Sequence, residues 1–179
     1  IKEPRILHQF DIAKNAKGKY EKNVSRDILF IERNLQFVKP GGRAAIVLPQ
    51  GRFNNSGDES IRRWIADRAR VLAVVGLHVN TFKPHTGTKT SVLFVQKWND
   101  DKKAGPLNPK QDDYPVFLAT SEKPGKDNSG EYVVRIAKDN APALDAHGHM
   151  IVEHDLGEIA ADFLKWGKMQ GLDFCAEEP

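Results

Sequence analysis

Residues 38–53, which read VKPGGRAAIVLPQGRF, constrain the fold of this chain more than any other stretch. The Lys-Pro-Gly-Gly segment should end a helix, because proline cannot continue one and glycine accepts the left-handed exit. The apolar run at residues 44–48 follows at once and stops at Pro49. A short apolar run without alternation is typical of a strand that is covered on both faces. The stretch therefore predicts an α/β unit, and such units place ligands at the carboxyl ends of their strands, here residues 49–53.

Amphipathic patterns predict a helix on each side of this strand. Ser25 and Asp27 suit the start of the first helix, as a capping side chain and an acid in the first turn. Its apolar residues fall on one face, while Glu32 lies on the polar side. Ser56 and Glu59 have the spacing of a capping box, which predicts that the second helix begins there.

Two more apolar runs, residues 71–77 and 91–97, predict buried strands. The connection between them, residues 78–89, has no helical pattern, so the two strands should pair as an antiparallel hairpin. Connections of this length without structure of their own are more often functional than short ones.

The two ends of the chain carry weaker patterns. Residues 1–23 are polar and rich in lysine, and they predict a loop. Beyond residue 98 we expect a small extension with the following parts: short strands at 115–119 and 132–136, a flexible turn at 122–130, an irregular stretch at 137–155 and a helix at 156–166. The predicted domains are therefore residues 1–98 and 99–179.

Composition sets outer limits on function. The chain has 179 residues, and 40% of them are hydrophobic, which is enough for a real core. The net charge of +3 permits a polyanionic partner without requiring one. No apolar run approaches the length of a membrane span, and the single cysteine fits a reducing cytoplasm.

Phe82 is the most informative residue of the long connection. It lies in a loop rich in proline, glycine and threonine, beside Lys83 and Lys89. One interpretation is an aromatic side chain tucked into the core, which is where aromatic residues usually lie. The other is a stacking platform for a planar ligand whose phosphates the two lysines would hold. The residues alone leave both open.

Histidines invite a metal hypothesis, which the pattern does not favour. His147, His149 and His154 are close in sequence, but they have no cysteine partner and no helical i, i+4 spacing. We therefore predict no metal site.

The order of these features resembles the modification subunit of type I restriction–modification systems, an N6-adenine DNA methyltransferase. A helix ends in Lys-Pro-Gly-Gly-Arg, and a buried strand then ends in Leu-Pro-Gln-Gly-Arg-Phe. A helix, a Val-Val-Gly-Leu strand and a Phe-Lys-Pro-His-Thr-Gly-Thr-Lys-Thr-Ser-Val-Leu-Phe hairpin follow. The resemblance covers residues 1–98 well and residues 116–166 more loosely.

This resemblance implies an α/β fold that supplies the last three strands of a Rossmann-like methyltransferase sheet. The glycine-rich loop that binds S-adenosylmethionine and the Asn-Pro-Pro-Phe catalytic box are not among these residues, and family order places both upstream of Ile1. The chain would then be the C-terminal part of the catalytic domain, carry no catalytic residue itself and be inactive alone.

The resemblance also implies roles for individual residues. An aromatic residue between the last two strands packs against the adenine that the enzyme extrudes, and Phe82 occupies that point. Five residues would line the cleft: Pro49, Gln50, Gly51, Ser25 and Asp27. Lys83 and Lys89 are candidates for contacts with DNA phosphates.

Partners follow from the same resemblance: double-stranded DNA, a specificity subunit and a restriction subunit. A partial sheet would leave a strand edge open, so we also expect another chain or another copy to cover that edge. Two alternatives stay open. The chain could be a non-catalytic module that docks a specificity subunit and DNA, or part of a methyltransferase that acts on RNA or a free base.

Overall fold

The computed structural model describes residues 1–15 and 17–175 and has mixed α/β architecture. The helices and strands are α1 (Pro4–Leu7), α2 (Arg26–Phe37), β1 (Arg43–Pro49), α3 (Gly51–Asn54), α4 (Glu59–Arg68), β2 (Ala69–Gly76), β3 (Thr90–Lys97), β4 (Phe117–Thr120) and α5 (Leu156–Met169). Short 3-10 turns lie at Asp11–Ala13, Ser56–Asp58 and Asp173–Cys175. The strand order is β1-β3-β2-β4.

Strands β1, β2 and β3 lie where the sequence predicts them. The amide of Leu77 donates to the carbonyl of Thr90, and the amide of Trp98 donates to that of Arg68. These two bonds join opposite ends of the pair, which confirms the antiparallel hairpin of β2 and β3. The carbonyl of Gly42, just before β1, accepts from Lys97 at the end of β3. Among the described strands, β1 therefore stands at one edge of the sheet.

The chain forms two compact units. The first comprises Ile1–Val74 and Ser91–Val116, and the second comprises Val75–Thr90 with the described residues from Phe117 onward. The predicted helix before β1 is confirmed as α2, whose Ile31 is fully buried in the core of the first unit. The turn after α2 has the left-handed glycine that the sequence predicts, since Gly41 has φ of 70°.

Two local predictions for the first unit were wrong. Residues 1–23 are not simply a loop, because α1 and the Asp11–Ala13 turn bury apolar side chains such as Leu7 and Ile12 in the core. Glu32 is only 6% exposed, because its carboxylate accepts a 2.8 Å hydrogen bond from the amide of Ile12. Its polar character is used to hold the N-terminal segment against α2.

The predicted caps also differ from the structure. Ser25 precedes α2, but its side chain makes no capping hydrogen bond. Ser56 belongs to a 3-10 turn, and α4 begins at Glu59, whose carboxylate pairs with Arg63 one turn later. An i,i+4 ion pair on the helix surface competes for the same glutamate side chain and replaces the capping box.

The second unit is more ordered than the sequence predicts. Helix α5 is confirmed, and it packs Phe163 and Trp166 against Phe117 of β4 with ring centroids 5.4 and 5.7 Å apart. As predicted for residues 137–155, the segment between β4 and α5 contains no regular helix or strand. This segment forms tight hairpins joined by antiparallel bridges, such as Val134 with Val152 and Leu144 with Met150. The predicted strand at 132–136 consists of isolated bridges of this kind.

Within the described residues, no helix is both long enough and apolar enough to cross a bilayer.

Candidate functional site

The segment after β1 lies beside the start of α2. Pro49 is the last residue of β1, Gln50 precedes α3, and Gly51 is its first residue. An open depression of about 670 Å³ lies next to this exit. It is lined by Ile1, Asn23, Val24, Ser25, Arg26, Asp27, Phe30 and Pro49. The structure thus brings together three of the five predicted cleft residues, while Gln50 and Gly51 are not among the lining.

Arg52 organises this end of the first unit. Its guanidinium donates to Asp27 through Nε (2.7 Å to Oδ2) and Nη2 (3.2 Å to Oδ1). The remaining nitrogen, Nη1, donates to both carboxylate oxygens of Asp58, at 3.2 and 3.1 Å. Bidentate contacts of this kind fix geometry as well as charge. One arginine therefore ties the β1 exit to the start of α2 and to the start of α4.

The contacts with Arg52 change the pKa of Asp27. Burial by itself would raise the pKa of its carboxyl group, but the hydrogen bonds and the positive charge of Arg52 outweigh burial. The net effect is a pKa below the ordinary value. Asp27 is therefore ionised near neutral pH, and both of its oxygens are already engaged by Arg52.

Arg62 of α4 is a second clamp on the same segment. Its Nη1 donates to the backbone carbonyl of Arg52 at 3.2 Å and to that of Asn55 at 2.8 Å. The guanidinium thus binds carbonyl groups of α3 and of the residue that follows it. This arginine supports the β1 exit and is more than a charge on a solvated helix face.

Phe82 belongs to the second unit, in the connection between β2 and β3. Its side chain is 37% exposed, so it is not tucked into the core. Backbone hydrogen bonds surround it: the amide of Thr86 donates to the carbonyl of Phe82, and the amide of Lys83 donates to that of Asn80. The loop thus displays a large aromatic side chain on a folded backbone.

The two lysines near Phe82 differ in their exposure. Lys83 is partly exposed and Lys89 is exposed. In the described part of the chain, neither ammonium group has a carboxylate within ion-pair distance. His78 has a structural role instead, because its Nδ1 accepts a hydrogen bond from the amide of Asn80 at 3.1 Å.

Metal-ligand geometry is not found among the residues that the structure describes, where no group of three or more histidine, cysteine, aspartate or glutamate side chains converges. His147 and His149 belong to a hairpin turn organised by Asp145, whose Oδ1 accepts from both backbone amides.

Comparisons with known proteins give this geometry a context. The sequence model of a family described as N-6 DNA methylase matches residues 7–131. The chain belongs to the N-6 DNA methylase family. That assignment confirms the family resemblance drawn from the sequence.

Individual relatives agree with the family assignment. The chain is 30% identical, over 92 residues and 51% of its length, to the methylase subunit of the type I restriction enzyme EcoEI from Escherichia coli. Those residues are 19% of that subunit, so the chain spans about a fifth of the length of this curated relative.

Two solved structures share the fold. One is a candidate class I S-adenosylmethionine-dependent methyltransferase from Listeria monocytogenes, with a TM-score of 0.51 and 21% identity. The match covers 67% of this chain and 33% of that one. The other is a modification subunit of a candidate type I restriction enzyme from Vibrio vulnificus, with a TM-score of 0.50 and 17% identity over 94% and 29% of the two chains. These likenesses support the predicted methyltransferase-like α/β fold.

Sequence reasoning missed two residues of this site. Arg52 carried no signal, because its partners Asp27 and Asp58 are remote in sequence or lie across a turn. Phe30 looks like a core residue of α2 by its position, but it is 54% exposed and lines the depression. Only the helix orientation distinguishes it from its buried neighbours.

The described residues do not by themselves fit S-adenosylmethionine. A cofactor with ribose hydroxyls and a charged amino acid tail needs free carboxylates and backbone donors in addition to apolar walls. The depression offers walls in Val24, Phe30 and Pro49, but Asp27, its one carboxylate, is occupied by Arg52. At most, this unit supplies one side of a cofactor site.

Proposed function

We propose that this chain is the base-holding part of an adenine-N6 DNA methyltransferase of a type I restriction–modification system. One observation carries the proposal: Phe82, a large aromatic side chain, is exposed on an ordered loop between the antiparallel strands β2 and β3. Enzymes that modify a base within a duplex must extrude it, and a flat apolar side chain compensates for the lost stacking.

The charges around Phe82 are consistent with this role. Lys83 follows it directly and is partly exposed, and Lys89 lies exposed on the same loop. Phosphate contacts position a protein on a duplex without reading its sequence. Sequence readout would then fall to a separate specificity subunit, and a restriction subunit would complete the system.

Catalytic groups belong to other parts of the enzyme in this proposal. We infer that the chain acts within a longer, cytoplasmic methyltransferase, because it spans only a fifth to a third of the relatives that it matches. S-adenosylmethionine would be the methyl donor, and other residues of the polypeptide would hold most of it. The edge of β1, where Val47 is 51% exposed, would pair with another strand of the same enzyme or with a second copy.

The test replaces Phe82 in the complete methyltransferase. Base–aromatic stacking is worth about 1–3 kcal/mol, so Phe82→Ala should lower kcat/KM for methyl transfer to duplex DNA by roughly 5- to 150-fold. Phe82→Trp should retain most of the activity, because a larger ring still stacks. Phe37→Ala is the matched control, since Phe37 is 81% exposed but lies at the end of α2.

The outcomes separate the candidate functions. Equal transfer by wild type and Phe82→Ala would overturn the stacking role. Loss of binding to the specificity subunit with transfer unchanged would favour the docking module. Transfer to RNA or free adenine without duplex DNA would identify a different substrate class.

A further inference from the structure

The connection between β2 and β3, residues 78–89, is named the Phe82 loop. A hairpin turn of the same unit contacts it. This turn, residues 126–130, lies far along the chain, and we name it the support turn. The loop itself is mostly exposed from Phe82 to Lys89. An exposed loop with few buried side chains gains little rigidity from its own contacts, so its contacts with other segments decide how it is held.

Side-chain hydrogen bonds join the two segments on both sides of Phe82. Before it, Asn80 is only 6% exposed, and its Nδ2 donates to Asn128 Oδ1 at 3.1 Å and to the Lys126 carbonyl at 3.4 Å. After it, Lys126 Nζ donates to the carbonyl of Lys83 at 2.8 Å. The loop is therefore tied to the support turn on both sides of Phe82, through the Asn80 side chain and the Lys83 carbonyl.

Gly130 makes the closest approach to the loop. A Cβ added there would lie 2.6 Å from the backbone nitrogen of Pro84 and 2.8 Å from the carbonyl carbon of Lys83. Gly130 also has φ of 97°, a conformation that side chains disfavour. Both features require glycine at this point.

The support turn is itself rigidly built. Oδ1 of Asp127 accepts hydrogen bonds from the amides of Ser129, Gly130 and Glu131, at 2.8, 2.8 and 3.0 Å. The amide of Asp127 in turn donates to the carbonyl of Glu131, which closes the hairpin. An aspartate that satisfies three consecutive amides locks a turn without help from a core.

We propose that the support turn is a positioning element that fixes the Phe82 loop in the conformation that receives the extruded base. This inference rests on the proposed function of Phe82. Asn80, Asn128, Lys126 and Gly130 act through the loop and touch no substrate. Preorganisation of the loop lowers the cost of ordering it when the base arrives, so loosening the support turn weakens base capture even though Phe82 is intact.

The first variant is Gly130→Ala, and its matched control is Gly148→Ala. Gly148 also has a positive φ, 81°, in another hairpin turn of the same unit, but a Cβ there meets nothing within 4 Å. In the complete methyltransferase, Gly130→Ala should increase hydrogen exchange of the amides at residues 78–89 at least tenfold. When the enzyme binds a duplex with 2-aminopurine at the target position, extrusion of that base increases its fluorescence, and Gly130→Ala should reduce this increase. The variant should also lower kcat/KM for methyl transfer at least tenfold. Gly148→Ala should behave as wild type in all three measurements.

A second variant and its control test the proposal if Gly130→Ala does not fold. Asn128→Ala removes the acceptor of Asn80 from an exposed position, and Ser129→Ala is its neighbour control. Asn128→Ala should increase loop exchange and lower kcat/KM several-fold, while Ser129→Ala changes neither.

Combination with Phe82→Ala distinguishes positioning from a general loss of structure. If the support turn acts through Phe82, the double variant Phe82→Ala/Asn128→Ala loses no more activity than Phe82→Ala alone. Fully additive losses, or unchanged loop exchange in both Gly130→Ala and Asn128→Ala, would overturn the inference. Failure of the wild type to methylate DNA would refute the proposed function instead, and loop exchange would still decide whether the turn holds the loop.

Discussion

Replacing Arg52 by methionine should lower the free energy of unfolding of the first unit by about 2 kcal/mol. Arg52 is the shared cation of Asp27 and Asp58, whose side chains are only 29% and 14% exposed, so both carboxylates lose their partner together. An exposed ion pair contributes about 0.2–1 kcal/mol, and breaking a fully buried one costs about 3–5 kcal/mol. This partly exposed cluster lies between those limits, and methionine keeps much of the apolar stem.

The assay is urea unfolding followed by circular dichroism at neutral pH. Arg63→Met is the matched control, because Arg63 also bonds a carboxylate, that of Glu59, but the two side chains are 78% and 57% exposed. Its loss should cost less than about 0.5 kcal/mol. A double-mutant cycle of Arg52→Met with Asp27→Asn should show a coupling free energy of about 1 kcal/mol, since Asp27 is one of the two carboxylates that Arg52 binds.

Acid provides an independent check on the same cluster. Since the folded-state pKa of Asp27 lies below its ordinary value, its contribution to stability is present above the unfolded pKa. The contribution is lost as the pH falls through the folded value, so wild-type stability should decline below about pH 4 more steeply than that of Arg52→Met. Equal destabilisation by Arg52→Met and Arg63→Met, with no coupling to Asp27, would refute the reasoning.

Two further predictions follow from single features. Gly41→Ala should destabilise the chain by more than about 3 kcal/mol in urea unfolding, or prevent folding, because a Cβ there collides with the carbonyl of Pro106. Gly18→Ala is the control, since Gly18 has a similar φ of 73° but open space around it. This substitution should cost only about 1–2 kcal/mol. Isothermal titration of S-adenosylmethionine should detect binding to the complete methyltransferase and not to this chain alone, since Asp27 is already occupied by Arg52. Tight binding to the chain alone would show that the cofactor site is misplaced.

Sequence patterns were reliable where a segment makes its contacts by simple burial. The runs at residues 44–48, 71–77 and 91–97 became β1, β2 and β3, because an apolar run between turn residues has few alternatives to a buried strand. Helix α2 followed from its apolar period, and its end followed from Pro40 and Gly41.

Polar residues with long-range partners were the ones that sequence reasoning misplaced. Glu32 looked solvated, yet it holds the amide of Ile12, and Glu59 looked like a capping residue, yet it pairs with Arg63. The hairpins between β4 and α5 looked irregular, because their bridges join single residues and leave no alternation to detect. Each of these outcomes depends on which partner is near in space, and local pattern does not contain that information.

The candidate functional residues show the same difference between local pattern and contacts in space. The sequence alone determined that an aromatic residue, Phe82, lies on a long connection beside two lysines, because composition and element order are local properties. Only the tertiary structure decided that Phe82 is exposed, that Arg52 occupies Asp27, and that Gly130 closes on Pro84. Exposure and pairing are properties of the folded backbone, which brings residues 25 to 48 positions apart within hydrogen-bond distance.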